Sequence, residues 1–223
     1  MLEASGRRLK AACLDLDGTL VDSIPLVYQA YCDFLEEHGY KGTREEFNRL
    51  NGPSLFEIAK FLGEKYGFPV SQEELVRSYL SRIQEVYHKA PLFPGVLEFL
   101  SYAKEAGLLL ALVTSSTKKL VKKFLKHHTL ESFFSVVSTG DEVRRAKPNP
   151  DIYHKTLEKL HLFSGDVLSV EDSLNGVSAS LNAGIFTIWI SHGEEGVDVP
   201  KDRVKVVKDW FQMRSDLERR LLL

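Results

Sequence analysis

AACLDLDGTL, residues 11–20, decides how the rest of the chain is read. Four apolar residues, Ala11 to Leu14, run without a polar break into Asp15. A short apolar run of this kind reads as a buried strand, which delivers Asp15 at its carboxyl end. Asp17 and Gly18 follow at once. A turn alone accounts for an Asp-Gly pair. It does not account for a second aspartate, nor for an apolar strand aimed at the first. Chemistry on a phosphate does: a carboxylate nucleophile is repelled by a dianionic monoester, and a divalent cation between them removes that barrier. Mg²⁺ prefers oxygen ligands, so a cluster of aspartates is the expected cradle.

Working outward, residues 25–38 read as a helix, with Pro25 in its first turn and Gly39 just past its end. Thr43-x-x-Glu46, Ser54-x-x-Glu57 and Ser71-x-x-Glu74 each have the form of a capping box ahead of helical apolar spacing. Residues 25–89 therefore read as a run of helices with no strand. After Pro94-Gly95 the pattern changes. Helices are expected over 96–106, 118–127, 151–161, 175–183 and 209–221. Strands are expected over 108–113 (LLLALV), 135–138 (SVVS), 167–170 (VLSV), 185–190 (IFTIWI) and, at an edge, 204–207 (VKVV). Alternation of strand and helix predicts an α/β fold, a parallel sheet with helices on both faces. In such sheets the residues just past the strand ends line the ligand crevice. Asp15, Thr114 and Glu171-Asp172 all stand there.

Three further candidates accompany the aspartates. Thr114, Ser115 and Ser116 offer hydroxyls and backbone N–H groups at a strand-to-helix junction, which suits a phosphoryl oxygen and equally suits a plain helix N-cap. Lys147 in AKPNPDIY is either a solvated lysine in a Pro-rich loop or an ammonium held stiffly where charge develops. Glu171 and Asp172 in VEDSLNG are adjacent acids, costly together unless a cation is near, and Asp172 could also cap the next helix.

The bulk properties exclude other classes. A chain of 223 residues fits one α/β domain or a core with a smaller insert, and 43% hydrophobic residues suffice for a real core. Lysines and arginines (29) nearly balance acids (31), against a nucleic-acid partner. No apolar run approaches the ~18 residues of a membrane span, and residues 1–10 have no apolar stretch of the signal-peptide kind. Cys13 and Cys32 are expected reduced and structural. A cytoplasmic monomer or small homo-oligomer acting on a phosphorylated small molecule is the expectation.

DLDGTL (15–20), VTSS (113–116), KPNPDIY (147–153) and VEDSLNG (170–176), in this order, resemble the haloacid dehalogenase-like (HAD) superfamily over nearly the whole chain. Within it they are similar to the phosphoglycolate phosphatase and β-phosphoglucomutase-like branch. The resemblance implies a core of residues 1–21 and 93–223, with 22–92 as an inserted α-helical cap. It implies Asp15 as nucleophile and Asp17 as general acid/base, with its carbonyl on the metal. Thr114 and its serines would hold the phosphoryl group, Lys147 would neutralise it, and Asp172 would ligate Mg²⁺. Glu171 would be a ligand or lie just outside. The cap loop RLNGPSLFE (49–57) makes Asn51 and Gly52 substrate-binding candidates.

Alternatives within the superfamily are weighed by what the chain lacks. Halide-removing relatives need neither a second aspartate nor a metal. Phosphonate-cleaving relatives need a buried cap lysine, and nothing marks Lys60 or Lys65 as one. A mutase is the serious rival. Its gating histidine would fall at Val27, and its cationic clasp at Asn51 and Leu55. A non-enzymatic binding module would be expected to have lost one of Asp15, Asp17, Lys147 or Asp172. The expectation is a Mg²⁺-dependent phosphatase.

Overall fold

Ala11–Leu14 is a strand (β1), fully buried along its length, and its backbone pairs on both sides. A computed structural model describes residues 9–50, 55–192 and 199–221. The other strands are Leu109–Val113 (β2), Val136–Ser138 (β3), Val167–Glu171 (β4), Phe186–Ile190 (β5) and Val204–Val207 (β6). All pairings are parallel, in the order β3-β2-β1-β4-β5-β6. The chain steps outward from β1 to β3, then returns across β1 to begin β4. That reversal opens a crevice between the carboxyl ends of β1 and β4, where ligands bind in sheets of this kind. Leu14 pairs with Val170, so Asp15 and Glu171 emerge side by side.

Helices cover the sheet after β2: Val96–Glu105 (α5) precedes it, then come Lys118–His127 (α6), Asp151–Leu160 (α7), Leu174–Asn182 (α8) and Trp210–Leu221 (α9). Apolar side chains form one cluster under β1, β2 and β4 with α5 and α6, and a second on the other face with α7. The sequence expectation agrees with these elements to within one residue at most ends. Burial is the reason: strands wrapped on both faces read as short, nearly continuous apolar runs. β6 is at the sheet edge, buried at Val204 and Val207 and open at the two residues between. Among the described residues no helix is long and apolar enough to cross a membrane.

Between β1 and β2 lie Ile24–Glu37 (α1), Arg44–Arg49 (α2), Leu55–Tyr66 (α3) and Gln72–Val86 (α4). Among the described residues they add no strand to the sheet. The chain leaves and returns through two segments lying side by side. Asp22 N donates to the Pro91 carbonyl at 2.9 Å, and Phe93 N donates to the Leu20 carbonyl at 3.0 Å. The helices pack around Tyr31, Phe34, Phe68 and Tyr79. The three expected capping boxes differ. Ser71–Glu74 is complete, with both reciprocal bonds. Thr43 accepts from Glu46 N, but the Glu46 carboxylate does not return the bond. That side chain is buried and taken by the Tyr31 and Tyr66 hydroxyls and by Lys65. Ser54 lies outside the described residues.

The complete box gives a direct check. Ser71→Ala removes an N-cap worth about 1 kcal/mol. The thermal unfolding midpoint is expected to fall by about 2–4 °C in a chain of this size.

Candidate active site

Asp15 follows β1 directly and is buried, its N–H bonded to the Val170 carbonyl at 3.0 Å. Lys147 reaches it from the loop between β3 and α7. The ammonium donates to Asp15 Oδ1 at 2.7 Å, to Glu171 Oε1 at 2.7 Å and to the Val113 carbonyl at 3.0 Å. All three donors of the ammonium are used and the residue is buried, so the solvated-lysine reading fails. The Tyr153 hydroxyl from α7 also donates to Glu171 Oε1. Glu171 Oε2 is buried with no partner. Asp172 accepts from Thr19 Oγ1 at 3.1 Å.

Asp15, Glu171 and Asp172 each offer a carboxylate oxygen within 4.8 Å of the others. Gly18 permits this crowding: its φ is +80°, and a Cβ there would stand 2.0 Å from Asp172 Oδ2. A Cβ on Gly176 would stand 1.8 Å from the orphaned Glu171 Oε2. Burial first, with Lys147 opposing and Glu171 adding to it, pushes Asp15 up to about 7. Burial and then Asp15 push Asp172 up to about 7. Glu171 is raised too, by burial. Burial works against the Lys147 charge, but Asp15 and Glu171 outweigh it and hold the ammonium charged. Three clustered acids with an unpartnered oxygen and proton affinities raised by burial fit a hard divalent cation.

Asp17 stands outside this acid group. Its Oδ1 accepts from Ser23 Oγ at 2.7 Å and its Oδ2 from Ser116 Oγ at 2.8 Å. Thr114 is buried at the end of β2, and its Oγ1 accepts from Ser116 N at 3.0 Å. Thr114 does not cap α6: the cap position is Thr117, which makes no side-chain cap bond. Asp172 does not cap α8 either. Ser173 does, accepting from Gly176 N. Ser115 is exposed, with its carbonyl packed on Gly140. Asn51 and Gly52 lie outside the described residues. The structure thus gathers Asp15, Asp17, Ser116, Lys147, Glu171 and Asp172 at one crevice. It adds Thr19 and Tyr153, which stand inside the quoted motifs without a legible role, and Ser23 and Tyr87, which no quoted motif includes.

A parallel sheet with clustered acids at its switch point suits a divalent cation and an anionic ligand in the crevice. The model of the haloacid dehalogenase-like hydrolases matches residues 13–190. The chain belongs to that family. It is 32% identical over 191 residues to the phosphorylated carbohydrates phosphatase of Thermotoga maritima, covering 81% of this chain and 84% of the relative. It is 30% identical over 214 residues to the phosphoglycolate phosphatase of Aliivibrio fischeri, covering 92% and 94%. A solved Thermotoga maritima structure, provisionally named β-phosphoglucomutase, superposes with a TM-score of 0.78 at 29% identity, covering 94% and 99%.

Lys147 holds apart two acids that would otherwise face each other in a buried crevice. Removing one partner of a buried ion pair costs about 3–5 kcal/mol. Lys147→Met in metal-free protein at pH 8 is expected to lose stability on that scale, read from urea unfolding.

Proposed function

We propose that this protein is a Mg²⁺-dependent phosphatase that hydrolyses a small phosphomonoester through an aspartyl-phosphate on Asp15. The observation that carries this reading is Asp15 itself: a buried carboxylate at a strand end, bonded to Lys147 and grouped with Asp172 and Glu171. Asp15, Asp172 and Glu171, with the Asp17 carbonyl, are the residues that would hold Mg²⁺. When bound, the cation offsets the charge of the phosphate and of the carboxylate that attacks it.

Asp15 attacks phosphorus in line, forming the acyl phosphate as the ester P–O bond breaks. Asp17 gives its proton to the departing oxygen. Asp17 then takes a proton from water as that water attacks phosphorus, and the bond to Asp15 breaks with its electrons returning to the carboxylate. Ser23 and Ser116 hold Asp17 on the side of the crevice away from the acid group, which suits a group that moves protons. Thr114 and Ser115 face the phosphoryl oxygens, and Lys147 neutralises charge on them. Residues 22–92 act as an α-helical cap over a core of 1–21 and 93–223. The paired crossing at Leu20–Asp22 and Pro91–Phe93 supports that division. Asn51 and Gly52 are the proposed substrate contacts of the cap.

A sugar phosphomutase is the second reading, favoured by the likeness to the Thermotoga maritima structure named for that activity. Val27, partly buried in the apolar packing of α1, cannot gate proton transfer as a histidine would. Phosphoglycolate, glucose 6-phosphate, β-glucose 1-phosphate and p-nitrophenyl phosphate, assayed with Mg²⁺ and a trace of sugar bisphosphate, separate the two. Inorganic phosphate is expected to outpace isomerised product on every monoester. Asp15→Asn is expected to abolish turnover. Asp17→Asn should lower it roughly 10²–10⁴-fold, the usual worth of general acid/base help. Wild-type turnover by Asp15→Asn would remove the nucleophile assignment.

The raised acids also fix a pH dependence. Between the ordinary carboxylate range and about 7, folded Asp15 and Asp172 bind protons that the unfolded chain does not. Metal-free stability is therefore expected to fall as pH rises across that window. Protons compete with Mg²⁺ for the same oxygens, so the gain in thermal midpoint on adding Mg²⁺ should be larger at pH 8 than at pH 5.5. A gain independent of pH would place the cation elsewhere.

A further inference from the structure

Tyr87 opens the short turn Tyr87–Lys89 after α4, a few residues before the chain re-enters the core. It is 2% exposed, and its ring meets Phe124 of α6 edge-on at 5.9 Å. Its hydroxyl has no hydrogen-bond partner. Packing alone does not explain it. Phenylalanine would fill the same space, and a buried hydroxyl left unpaired costs stability.

The surroundings of that hydroxyl are specific. Burial first, then the nearby Asp17 carboxylate, push the phenol well above its ordinary value, while Ser116 beside it acts the other way. The hydroxyl stands close enough to Asp17 and Ser116 to feel both, yet meets neither in hydrogen-bond geometry. Asp17 has hydroxyls from three segments near it: Ser23 where the chain leaves the core, Ser116 after β2, and Tyr87 where the chain returns. Only two of the three are bonded.

We propose that Tyr87 is a positioning residue for Asp17, whose hydroxyl donates to the carboxylate left when Asp17 gives its proton to the departing oxygen. This rests on the phosphatase reading above. As the ester P–O bond breaks, its electron pair stays on the leaving oxygen and the Asp17 proton joins it. Asp17 then carries a negative charge, and to reach the leaving oxygen it must turn from one of its two serines. Tyr87 supplies the missing donor at that moment. Because Tyr87 belongs to the returning segment of the helical insert, the donor is in place only while that insert sits against α6.

Tyr87→Phe keeps the ring and removes the donor. The test compares kcat/KM, with Mg²⁺, on p-nitrophenyl phosphate and on the best alkyl substrate among phosphoglycolate, glucose 6-phosphate and β-glucose 1-phosphate. This ratio reports steps through loss of the leaving group. An alkoxide needs a proton as it departs, and p-nitrophenolate does not. The alkyl value is expected to fall about tenfold to a hundredfold, the worth of a hydrogen bond to a charged group. The p-nitrophenyl value should stay within about twofold. The thermal midpoint should hold or rise, since an unpaired buried hydroxyl is removed. An equal loss on both substrates, or no loss on the alkyl ester, overturns the assignment while leaving the phosphatase reading intact. Failure of the parent enzyme to release phosphate from any of the alkyl esters overturns both.

Discussion

Everything at the crevice depends on one buried ammonium. Asp15 and Glu171 stand at the ends of adjacent parallel strands, and the register fixes them side by side. Two buried carboxylates at that spacing repel, and burial alone already raises their proton affinity. Lys147 lies between them at 2.7 Å from each. Its attraction to both outweighs its own desolvation. The loop that carries Lys147 is therefore tied to β1 and β4, and with it the start of α7, whose Tyr153 completes the donors on Glu171. A single cation leaves the group short of charge balance. Glu171 Oε2 remains unpartnered and Asp172 remains raised, which is the electrostatic state a divalent ion would relieve.

Most of the fold was legible because its strands obey one simple rule. A strand buried on both faces is apolar along most of its length, and polar residues inside one are bonded to each other, as Ser169 is to Thr187. Asp15, Thr114 and Glu171-Asp172 could be placed at strand ends for that reason. The capping boxes were less faithful. The Thr43 pattern is present in the sequence, but Glu46 is drawn inward by two tyrosines and a lysine that lie 15 to 20 residues away. Local pattern cannot anticipate a competing partner that only tertiary packing supplies.

The site was legible as a set of residues and much less as a set of contacts. Thr114 read equally as a helix cap and as a phosphate contact, and the placement of Thr117 at the start of α6 removes the cap reading. Lys147 in isolation resembles any loop lysine; its burial follows from a crevice built by strands more than 20 residues away in sequence. Thr19 lies within a quoted motif and Ser23 just beyond it, yet their bonds to Asp172 and Asp17 depend on the turn made at Gly18. Tyr87 belongs to no motif and stands 70 positions after Asp17 in the sequence.

The two aspartates of the first motif are chemically alike and two residues apart, yet the fold gives them opposite surroundings. Asp15 points into the acid group and meets a fixed cationic side chain. Asp17 points away and meets hydroxyls, which are neutral and can rotate. A carboxylate fixed by an ammonium is held in place for attack. A carboxylate held by hydroxyls keeps its partners when its charge changes, since a hydroxyl donates to the charged form and accepts from the protonated one. Lys147 on one side, and Ser23 and Ser116 on the other, impose this difference. In the proposed reaction it assigns attack on phosphorus to one aspartate and proton movement to the other, without any difference in their chemistry.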